Sequence, residues 1–292
     1  MSDNKMVQIS NPNLDSQLDD CLCHLGIFKS MLDLPMTFGD VKFLCMGGSE
    51  RRIRKYAEMF AEQMNLKMSE NFCKTDRYVM YKTGQVLWVN HGIGIPSLSI
   101  ILVEVIKLLH HAKAKEVVAI RIGTSGGLGL PPGTLILSNK AVNGELQDQY
   151  VQYIMGKKVL RSANFDAEVL EQLQQTAIQL NLPVQVGKTF CTDDFYEGQA
   201  RMDGAFCDYT VEQKFAFLNH LYDLGVRNIE MESLCFAALL NRSNIRSAVV
   251  CVSLVNRLKG DQIKLSAKDI NEFEMSTYKL VSEYIRKQLR IH

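Results

Sequence analysis

The sequence predicts an α/β fold in a single domain, with a central mixed β-sheet flanked by helices on both faces. Short apolar segments rich in β-branched residues alternate with longer segments whose apolar residues recur at helical spacing, along most of the 292 residues. Strands and helices that alternate in this way pack as a sheet covered by helices. No linker, repeat or low-complexity stretch divides the chain. We therefore expect one domain over residues 21–292, preceded by a loose N-terminal arm over residues 1–20.

The first half of the chain carries most of the predicted strands. Five apolar or β-branched segments are predicted to be strands: 41–47, 77–83, 85–92, 116–123 and 134–142. The second and third of these flank Gly84, which indicates a hairpin. Helical spacing covers 51–64, and Pro96 opens a second, strongly apolar helix. The strand 116–123 is expected to end in a glycine-rich turn.

The second half continues the alternation. Strands are predicted at 183–192 and 245–257, and helical spacing covers four segments: 164–181, 209–224, 232–242 and 267–292. The last of these has Asp269 in its first turn and a basic end, an arrangement that complements the helix dipole. Between them, Ile229 to Ser233 lies where a strand passes into a helix.

Composition argues against several functional classes. Lys and Arg number 33 against 32 Asp and Glu, so no basic excess indicates a nucleic-acid partner. The N-terminus is polar and acidic, unlike a signal peptide, and the most apolar window, 95–109, is interrupted by Glu104 and Lys107 and too short to span a bilayer. The eight cysteines include no Cys-x-x-Cys pair, which favours free thiols in a reducing compartment. We expect a cytoplasmic globular protein without membrane contact.

The segment 194–204 is the most informative motif. It combines an aromatic pair, Phe195 and Tyr196, with the amide of Gln199 and the guanidinium of Arg201. The amide both donates and accepts hydrogen bonds, whereas the guanidinium only donates, to carbonyl oxygens or to a developing anion. This set suits a flat heterocycle with carbonyl and N–H edges, such as a pyrimidine base. A polar surface loop contains the same residue types and is the alternative.

Two glycine-rich segments that follow predicted strands could bind an anion. One strand carries Arg121 and is followed by residues 124–127, whose backbone N–H groups and hydroxyls can cradle a phosphate. The other is followed by residues 47–49 and a helix that starts with Arg51 and Arg52. Neither segment matches a dinucleotide-binding or P-loop motif. A turn that merely needs glycine, and a solvated arginine face, are the alternatives.

Two carboxylates flank Met231. Glu230 and Glu232 lie where a strand passes into a helix, and a carboxylate there can accept two hydrogen bonds from a cis-diol such as that of ribose. Alternatively, Glu232 merely favours the first helical turn. His24 lies in an apolar segment, where a packed histidine is the ordinary expectation. No set of side chains has metal-ligand spacing, so no metal site is predicted.

The order of six motifs resembles that of the uridine phosphorylases, which belong to the nucleoside phosphorylase family with its single α/β domain. The motifs are GGSxxR, TDRY, HGxGIPS, RIGTSGG, FYEGQxRxDGA and NIEMES, and the resemblance runs from about residue 21 to the C-terminal helix. RIGTSGG and NIEMES mark the wider family, whereas FYEGQxR is the pyrimidine-specific element. The resemblance implies reversible phosphorolysis, in which uridine and phosphate give uracil and ribose 1-phosphate, with phosphate as co-substrate and no cofactor.

The resemblance also implies a role for each matching residue. The expected phosphate-binding residues are Gly48, Arg52, Arg77, Arg121 and Thr124, with Arg77 supplied by the neighbouring subunit of a homodimer. The expected base-binding residues are Phe195, Gln199, Arg201, Leu254 and Val255. The expected ribose-binding residues are Met231, Glu232 and His24 of the other subunit. Of all these, the expected catalytic residues are Arg201, Gln199 and Arg121.

Two departures from the family pattern concern the bacterial members. They carry PGDPxR where this chain has MGGSERR, which leaves open whether Arg51 or Arg52 faces phosphate. They also place a potassium-binding glutamate directly after the arginine that matches Arg77, where this chain has Tyr78, which argues against that ion. The pattern is similar to the eukaryotic, dimeric branch of the family rather than to the hexameric bacterial branch.

Two other functions stay open. One is a hydrolytic nucleosidase on the same fold, which three candidate phosphate arginines argue against because water as nucleophile needs no anion site. The other is a catalytically silent nucleoside-binding protein, which is opposed by the intact set Gln199, Arg201, Glu232 and Arg121. The sequence does not rank uridine against deoxyuridine or thymidine.

Overall fold

The computed structural model describes residues 5–14 and 19–290. Within them the chain forms twelve β-strands and seven α-helices, and it divides into two compact units. Unit 1 comprises Met1–Ile120 with Leu239–Ser247, and unit 2 comprises Arg121–Ala238 with Ala248–His292. Strands alternate with helices and pair in both directions, so the predicted α/β class with a mixed sheet is confirmed. The single domain over residues 21–292 stays a prediction.

Unit 1 contains the predicted hairpin. Its strands are β1 (Cys21–Leu22), β2 (Ile27–Phe28), β3 (Phe43–Gly47), β4 (Met80–Thr83) and β5 (Val86–Asn90), and its helices are α1 (Leu34–Phe38), α2 (Glu50–Gln63) and α3 (Gly94–His111). β3 runs parallel to β5, and β4 runs antiparallel to β5. All residues of β3 and β5 are buried, which explains why both strands are apolar up to Asn90 at the end of β5, rather than alternating.

Unit 2 closes five strands into a ring. β6 (Val118–Gly127) begins in unit 1 and continues here, followed by β7 (Leu135–Val142), β8 (Gln149–Ile154), β9 (Lys157–Ser162), α4 (Ala167–Gln179), β10 (Val184–Cys191), α5 (Val211–Asp223), β11 (Val226–Glu230), α6 (Ser233–Asn241), β12 (Arg246–Asn256) and α7 (Ala267–Gln288). The last three residues of α6 and the first two of β12 belong to unit 1. The strand order is β11–β10–β7–β12–β6, and β11 also pairs with β6. The second pairing of β11 therefore closes the ring.

β10 and β11 end side by side. They run parallel, with Cys191 opposite Glu230, and Thr192 N–H donates to Glu230 O at 2.9 Å. The aromatic and amide motif follows β10 in the chain, and the two carboxylates lie at the end of β11. Ligands of α/β sheets bind outside the carboxyl ends of strands, so both motifs start at a favourable edge.

β6 extends further than predicted. Residues 124–127 continue the strand, with Gly126 and Gly127 paired to β11, so the prediction of a turn there is wrong. A Cβ at Gly126 would lie 2.8 Å from Arg257 Cγ, and one at Gly127 would overlap the hydroxyl of Ser253. Close packing, rather than a turn, therefore requires glycine at these positions.

The hairpin of β8 and β9 is not predicted from the sequence. The two strands pair antiparallel over their whole length, around Met155 and Gly156. Both turn residues have positive φ, 48° and 77°, which matches the twist that two-residue hairpins favour. Most residues of these strands are exposed or half-buried, so apolar alternation gave little signal.

The described part of the N-terminal arm is attached to unit 1. Val7 is 2% exposed, and its N–H donates to Ala114 O at 3.1 Å. Gln8 N–H donates to Ser243 O at 3.0 Å. The expectation of a loose arm is therefore wrong at residues 7 and 8, while residues 1–4 and 15–18 lie outside the described residues.

α3 is a core helix of unit 1. By length and composition alone it is apolar enough to cross a membrane. Nine of its residues are buried in the protein, however. Glu104 accepts hydrogen bonds from the backbone at His24 and Leu25, and Lys107 lies 2.6 Å from Asp20. Its charged residues are thus paired within unit 1, as expected for a helix packed in a protein core.

Candidate active site

In unit 2, a short 3₁₀ turn presents the base-binding candidates. It spans Glu197–Gln199 after β10, and Asp194 Oδ2 closes it by accepting the Gly198 N–H at 2.8 Å. Ala200 then adopts a left-handed conformation (φ 53°, ψ 39°) and packs in a buried apolar cluster. Such a conformation is strained for a residue with a Cβ and persists only where packing enforces it. Ala200, with this left-handed conformation, lies between the two predicted base-reading residues, Gln199 and Arg201.

Gln199 is held at both ends of its amide. The side chain is buried, and its Oε1 accepts from Arg257 Nη1 at 3.4 Å while its Nε2 donates to Thr192 Oγ1 at 3.1 Å. Arg257 Nη2 also donates to the Gln199 backbone oxygen at 2.8 Å. The amide is therefore positioned before any ligand binds, which is the property that a base-reading residue needs.

The Arg201 guanidinium lies over an aromatic ring. Its guanidinium carbon lies 4.4 Å from the centre of the Phe195 ring, and its Nε and Nη2 donate to Asp203 at 2.9 and 2.7 Å. Tyr209 OH donates to the Arg201 backbone oxygen. Nη1 takes no part in the pair with Asp203, so it is the nitrogen best placed to donate to a ligand. Phe195 itself is 45% exposed, as an aromatic wall open to a ligand would be.

A buried ion cluster supports this loop. Asp261 Oδ2 accepts from Lys214 Nζ at 2.6 Å and from Met202 N–H at 2.9 Å, and its Oδ1 accepts from Arg257 Nε at 3.1 Å. Burial alone would raise the pKa of Asp261, but these partners, Lys214 first, hold it below the ordinary value. The carboxylate is therefore charged and joins three chain segments around the loop.

Arg121 lies between the two carboxylates of the 230–232 motif. Its Nη2 donates to Glu232, and its Nη1 lies 3.1 Å from Glu230 Oε2 and donates to Cys251 Sγ at 3.1 Å. Burial lowers the pKa of the guanidinium, but the two carboxylates outweigh it and raise that pKa above its ordinary value. A Cβ at residue 123 would lie 2.7 Å from Nη1, so Gly123 gives the side chain its space.

The Nε nitrogen of Arg121 is buried and has no hydrogen-bond partner among the residues that the structure describes. Buried donors are almost always paired in native proteins, so an orphaned one points to a ligand or a solvent molecule. Thr124, three residues on along β6, is half-buried. Both predicted phosphate-binding residues of unit 2 thus lie on one strand.

Glu230 and Glu232 differ in their hydrogen-bond and ion-pair partners. Glu230 accepts the backbone N–H groups of Glu232 and Ser233 and the Ser233 hydroxyl, and so caps the start of α6. Burial raises the pKa of Glu230 above its ordinary value. The positive charge of Arg121 opposes this rise, and the negative charge of Glu232 adds to it. Glu232 pairs with Arg121. Met231 between them is half-buried. Glu230 is therefore the structural carboxylate, and Glu232 is the better candidate for a ribose hydroxyl.

The remaining base-binding candidates lie at the end of β12. Leu254 and Val255 are half-buried apolar residues in the last part of this strand. They also line a cavity of about 380 Å³, together with residues 259–262, 264 and 265. Half-buried aliphatic side chains suit a wall for the apolar edge of a base.

In unit 1, Gly48 and Arg52 lie at the start of α2. Ser49 is the N-cap, and its Oγ accepts from Arg52 N–H at 3.4 Å. A Cβ at Gly48 would lie 2.9 Å from Gly92 O, so only glycine allows this close approach. Arg51 is exposed and Arg52 is half-buried, and the helix start offers N–H groups to an anion. Burial favours Arg52 over Arg51 as the phosphate candidate.

His24 and Arg77 differ in their environment within unit 1. His24 Nδ1 lies 2.7 Å from Glu104 Oε1, and its backbone N–H donates to both oxygens of the same carboxylate. Because Nδ1 is engaged, Nε2 is the nitrogen that would face a ligand. The Arg77 side chain is 74% exposed and lies 3.8 Å from Asp76.

No metal site is evident in the described residues. Across 5–14 and 19–290, no three His, Cys, Asp or Glu side chains form a group that could hold a metal ion. None of the eight cysteines, all within these ranges, is in a disulfide. That the reaction needs no metal stays a prediction.

Several supporting residues are not predicted from the sequence. They are Thr192, Asp203, Lys214, Cys251, Arg257 and Asp261 in unit 2, and Glu104 in unit 1. Asp203 alone lies within the recognised motif. Thr192 precedes that motif by two residues. The others are distant in sequence from the residues they hold, and a single sequence carries no signal of such pairing.

The chain is similar to known enzymes along nearly its whole length. The family model described as Phosphorylase superfamily matches residues 42–286. A Caenorhabditis elegans protein named Uridine and thymidine phosphorylase is 53% identical over 93% of this chain and 92% of its own length. Uridine phosphorylase 1 of Mus musculus is 45% identical over 97% of this chain and 93% of its own. A crystal structure of uridine phosphorylase from Schistosoma mansoni in complex with thymidine is 40% identical, with a TM-score of 0.94 over 97% of this chain and 99% of that one.

Proposed function

Because the chain belongs to the uridine phosphorylases of the phosphorylase superfamily, we propose that it catalyses the reversible phosphorolysis of uridine to uracil and ribose 1-phosphate. The observation that carries this proposal is the pair Gln199 and Arg201. The amide is held by Thr192 and Arg257, and the guanidinium is stacked on Phe195. A fixed amide beside a fixed donor matches the alternating carbonyl and N–H edge of uracil.

The chemistry follows from where charge develops. Attack of a phosphate oxygen on C1′ of the ribose breaks the bond to N1 of the base, and the bonding electrons leave with uracil as an anion delocalised over its carbonyl oxygens. The base then takes a proton from solvent. Arg201 Nη1 can donate to this anion, and its geometry is set before the reaction by Asp203 and Phe195. Catalysis here is positioning and electrostatic stabilisation, without a covalent enzyme intermediate.

In this proposal Arg121 binds phosphate and Glu232 binds the ribose. The buried guanidinium of Arg121 keeps one donor, Nε, without a partner in the described structure, and this donor can bind an anion or a hydroxyl. Glu232 can accept from a ribose hydroxyl while it remains paired with Arg121. Thr124 on the same strand would add its hydroxyl to phosphate. In unit 1, Gly48 and Arg52 are proposed to bind phosphate through the start of α2.

The active form is proposed to be a homodimer in which each site takes Arg77 and His24 from the partner. The Arg77 side chain is largely exposed and makes a long contact to Asp76, which suits a residue that acts outside its own subunit. Unit 1 also exposes large apolar side chains of the kind that dimers bury: Phe28, Met36, Ile93 and Val103. We place the enzyme in the cytoplasm, since its thiols are free, and assign it no cofactor beyond the co-substrate phosphate.

One assay tests the proposal. The loss of uridine absorbance is followed with and without phosphate, with thymidine and inosine run in parallel, and ribose 1-phosphate is quantified. The expected result is cleavage of uridine only when phosphate is present, one ribose 1-phosphate per uracil, and no cleavage of inosine. Thymidine is included because a relative is named for both activities.

The rivals give different outcomes. Cleavage at the same rate without phosphate would show a hydrolytic nucleosidase. No cleavage of any nucleoside, with uracil still bound, would show a silent binding protein. Either result contradicts the proposed phosphorolysis.

A further inference from the structure

The cluster of Asp261, Lys214 and Arg257 is more than an anchor for a loop. All three side chains are buried, with Arg257 0%, Lys214 4% and Asp261 9% exposed. Two cations share one carboxylate, so the cluster leaves a net positive charge inside unit 2. Buried charges are unfavourable unless well paired, and apolar residues of similar size usually stabilise a core at least as well. Simple stability does not account for this arrangement.

Arg257 dictates which way the Gln199 amide points. A guanidinium donates hydrogen bonds and never accepts them, so the amide atom that faces Arg257 Nη1 must be the carbonyl oxygen. Arg257 Nη2 holds the Gln199 backbone oxygen at 2.8 Å, which fixes the guanidinium against the loop.

Thr192 enforces the same orientation from the other end. Its hydroxyl donates to Asp194 O at 2.8 Å, so its proton is already used. Thr192 Oγ1 can therefore only accept from Gln199, and the atom that faces it at 3.1 Å must be the amide nitrogen. A flipped amide would place donor against donor at Arg257 and acceptor against acceptor at Thr192.

Asp261 holds the guanidinium that sets this orientation. Its Oδ1 accepts from Arg257 Nε at 3.1 Å, while its Oδ2 accepts from Lys214 Nζ and from the N–H of Met202, the residue after Arg201. One carboxylate thus positions both base-reading side chains, Gln199 through a guanidinium and Arg201 through the backbone. Lys214, from α5, fixes the carboxylate in turn.

We propose that Asp261, held by Lys214, is a positioning residue that locks the Gln199 amide through Arg257 and so makes the site prefer uracil over cytosine. The inference rests on the proposed function, since it concerns the base half of that site. Uracil presents an N–H at position 3, which needs an acceptor such as a fixed Oε1. Cytosine presents a lone pair at position 3 and an amino group at position 4. A locked amide meets that lone pair with an oxygen, whereas a free amide can turn its nitrogen toward it.

The test measures uracil and cytosine binding to the full chain by calorimetry, with uridine kinetics alongside. Asp261→Asn keeps the shape and removes the charge, Lys214→Met removes the partner, and Lys214→Arg keeps charge and donors. Asp148→Asn is the matched control, since Asp148 pairs with Lys140 on the exposed surface of unit 2. Each folded variant is checked by circular dichroism and thermal melting.

The expected result is a fall of about ten-fold in the ratio of uracil to cytosine affinity in Asp261→Asn and Lys214→Met. The reason is that the Gln199 amide would no longer be fixed in the orientation that matches uracil. The uridine KM should rise by a similar factor, with the phosphate KM within about two-fold of wild type. Lys214→Arg and Asp148→Asn should keep wild-type ratios. If Asp261→Asn does not fold, Lys214→Met carries the same measurement.

An unchanged uracil-to-cytosine ratio in a folded Asp261→Asn or Lys214→Met chain overturns the inference. Equal losses for uridine and phosphate also overturn it, because they indicate a general structural defect. Failure of the proposed function looks different: the wild-type chain would not cleave uridine with phosphate, while the ratio of base affinities would still decide the role of Asp261.

Discussion

Arg121 Nη1 lies 3.1 Å from Glu230 Oε2, and the same carboxylate caps α6. Glu230 thus ties the strand that carries the phosphate candidates to the helix that follows the ribose candidates. Glu232, two residues on, pairs with the same guanidinium. The two carboxylates should therefore respond differently to the same substitution, one mainly in stability and the other mainly in substrate recognition.

Glu230→Gln should lower the free energy of unfolding by ~3 kcal/mol, because it removes one partner of a buried ion pair and the anion at the start of α6. Urea unfolding at neutral pH measures the change. Glu58→Gln is the control, since Glu58 pairs with Arg54 on an exposed face of α2 and should leave the unfolding midpoint unchanged. Equal midpoints for both variants would contradict the structural role of Glu230.

Glu232→Gln should lower kcat/KM for uridine by about 100-fold, since the charged acceptor for a ribose hydroxyl is lost. The loss should be smaller for 2′-deoxyuridine, which lacks one hydroxyl of the cis-diol. Steady-state kinetics with both nucleosides gives the comparison. If both substrates lose the same factor, Glu232 does not read the 2′-hydroxyl and acts through Arg121 alone.

Gln199→Leu should reduce kcat/KM for uridine by about 1000-fold or more, because the only amide in the base motif is lost and Arg257 Nη1 keeps no acceptor there. Gln174→Leu on an exposed position of α4 is the matched control and should keep full activity. A Gln199→Leu enzyme with near wild-type kcat/KM would remove this residue from the base-reading role.

Mixed dimers test whether sites are shared. Arg77→Ala and Arg201→Ala chains, each nearly inactive alone, should regain about a quarter of wild-type activity when unfolded and refolded together, since half the dimers are mixed and each has one intact site. Arg201→Ala mixed with Gln199→Leu is the control, because both residues lie in one loop of one chain and no intact site can form. Equal activity in the two mixtures would argue against a partner arginine.

Alkaline pH should destabilise the fold through its buried thiols. Burial raises the pKa of Cys235 to about 12 and that of Cys251 to about 11, from 9.0 in a free thiol. Above pH 9 the unfolded chain releases these protons while the folded chain keeps them, so stability is full below pH 9 and falls as pH rises toward the folded values. Each thiol should lower the free energy of unfolding by ~1 kcal/mol between pH 8 and pH 10.

Denaturant unfolding at pH 8 and pH 10 measures this fall. In Cys235→Ala, the difference in the free energy of unfolding between the two pH values should be smaller by the contribution of one thiol. Cys23→Ala, at an exposed position, should leave the difference as it is in the wild type. A fall that is identical in all three proteins would rule out Cys235 as one of its causes.

Local sequence was enough to predict most elements and the base motif. The β-branched segment before Thr124 forms a strand, and Pro96 lies in the first turn of α3 as expected. The motif 194–204 could be recognised because its aromatic, amide and guanidinium groups are close together in the chain. Chemistry that is contiguous in sequence is visible without a structure.

Long-range pairing was not predictable. Asp261 holds Arg257 and Lys214, and Glu104 orients His24 from 80 residues away. Each of these side chains alone resembles an ordinary surface charge, and only folding brings the partners together. β6 was predicted too short for a related reason: the glycines that suggested a turn are there because neighbouring side chains approach the strand closely.

The pairing of Cys191 with Glu230 fixes the spacing between the segments that carry the proposed base-reading and ribose-binding residues. A slip of one residue between the two parallel strands would displace one group relative to the other by about 3.3 Å, more than a hydrogen bond tolerates. The paired residues end at Cys191 and Glu230, before the loop that follows Thr192. We therefore expect substitutions within residues 193–204 to change base preference without displacing the proposed ribose-binding residues. The two proposed specificities therefore lie on separate segments, which the strand register holds at a fixed distance from each other.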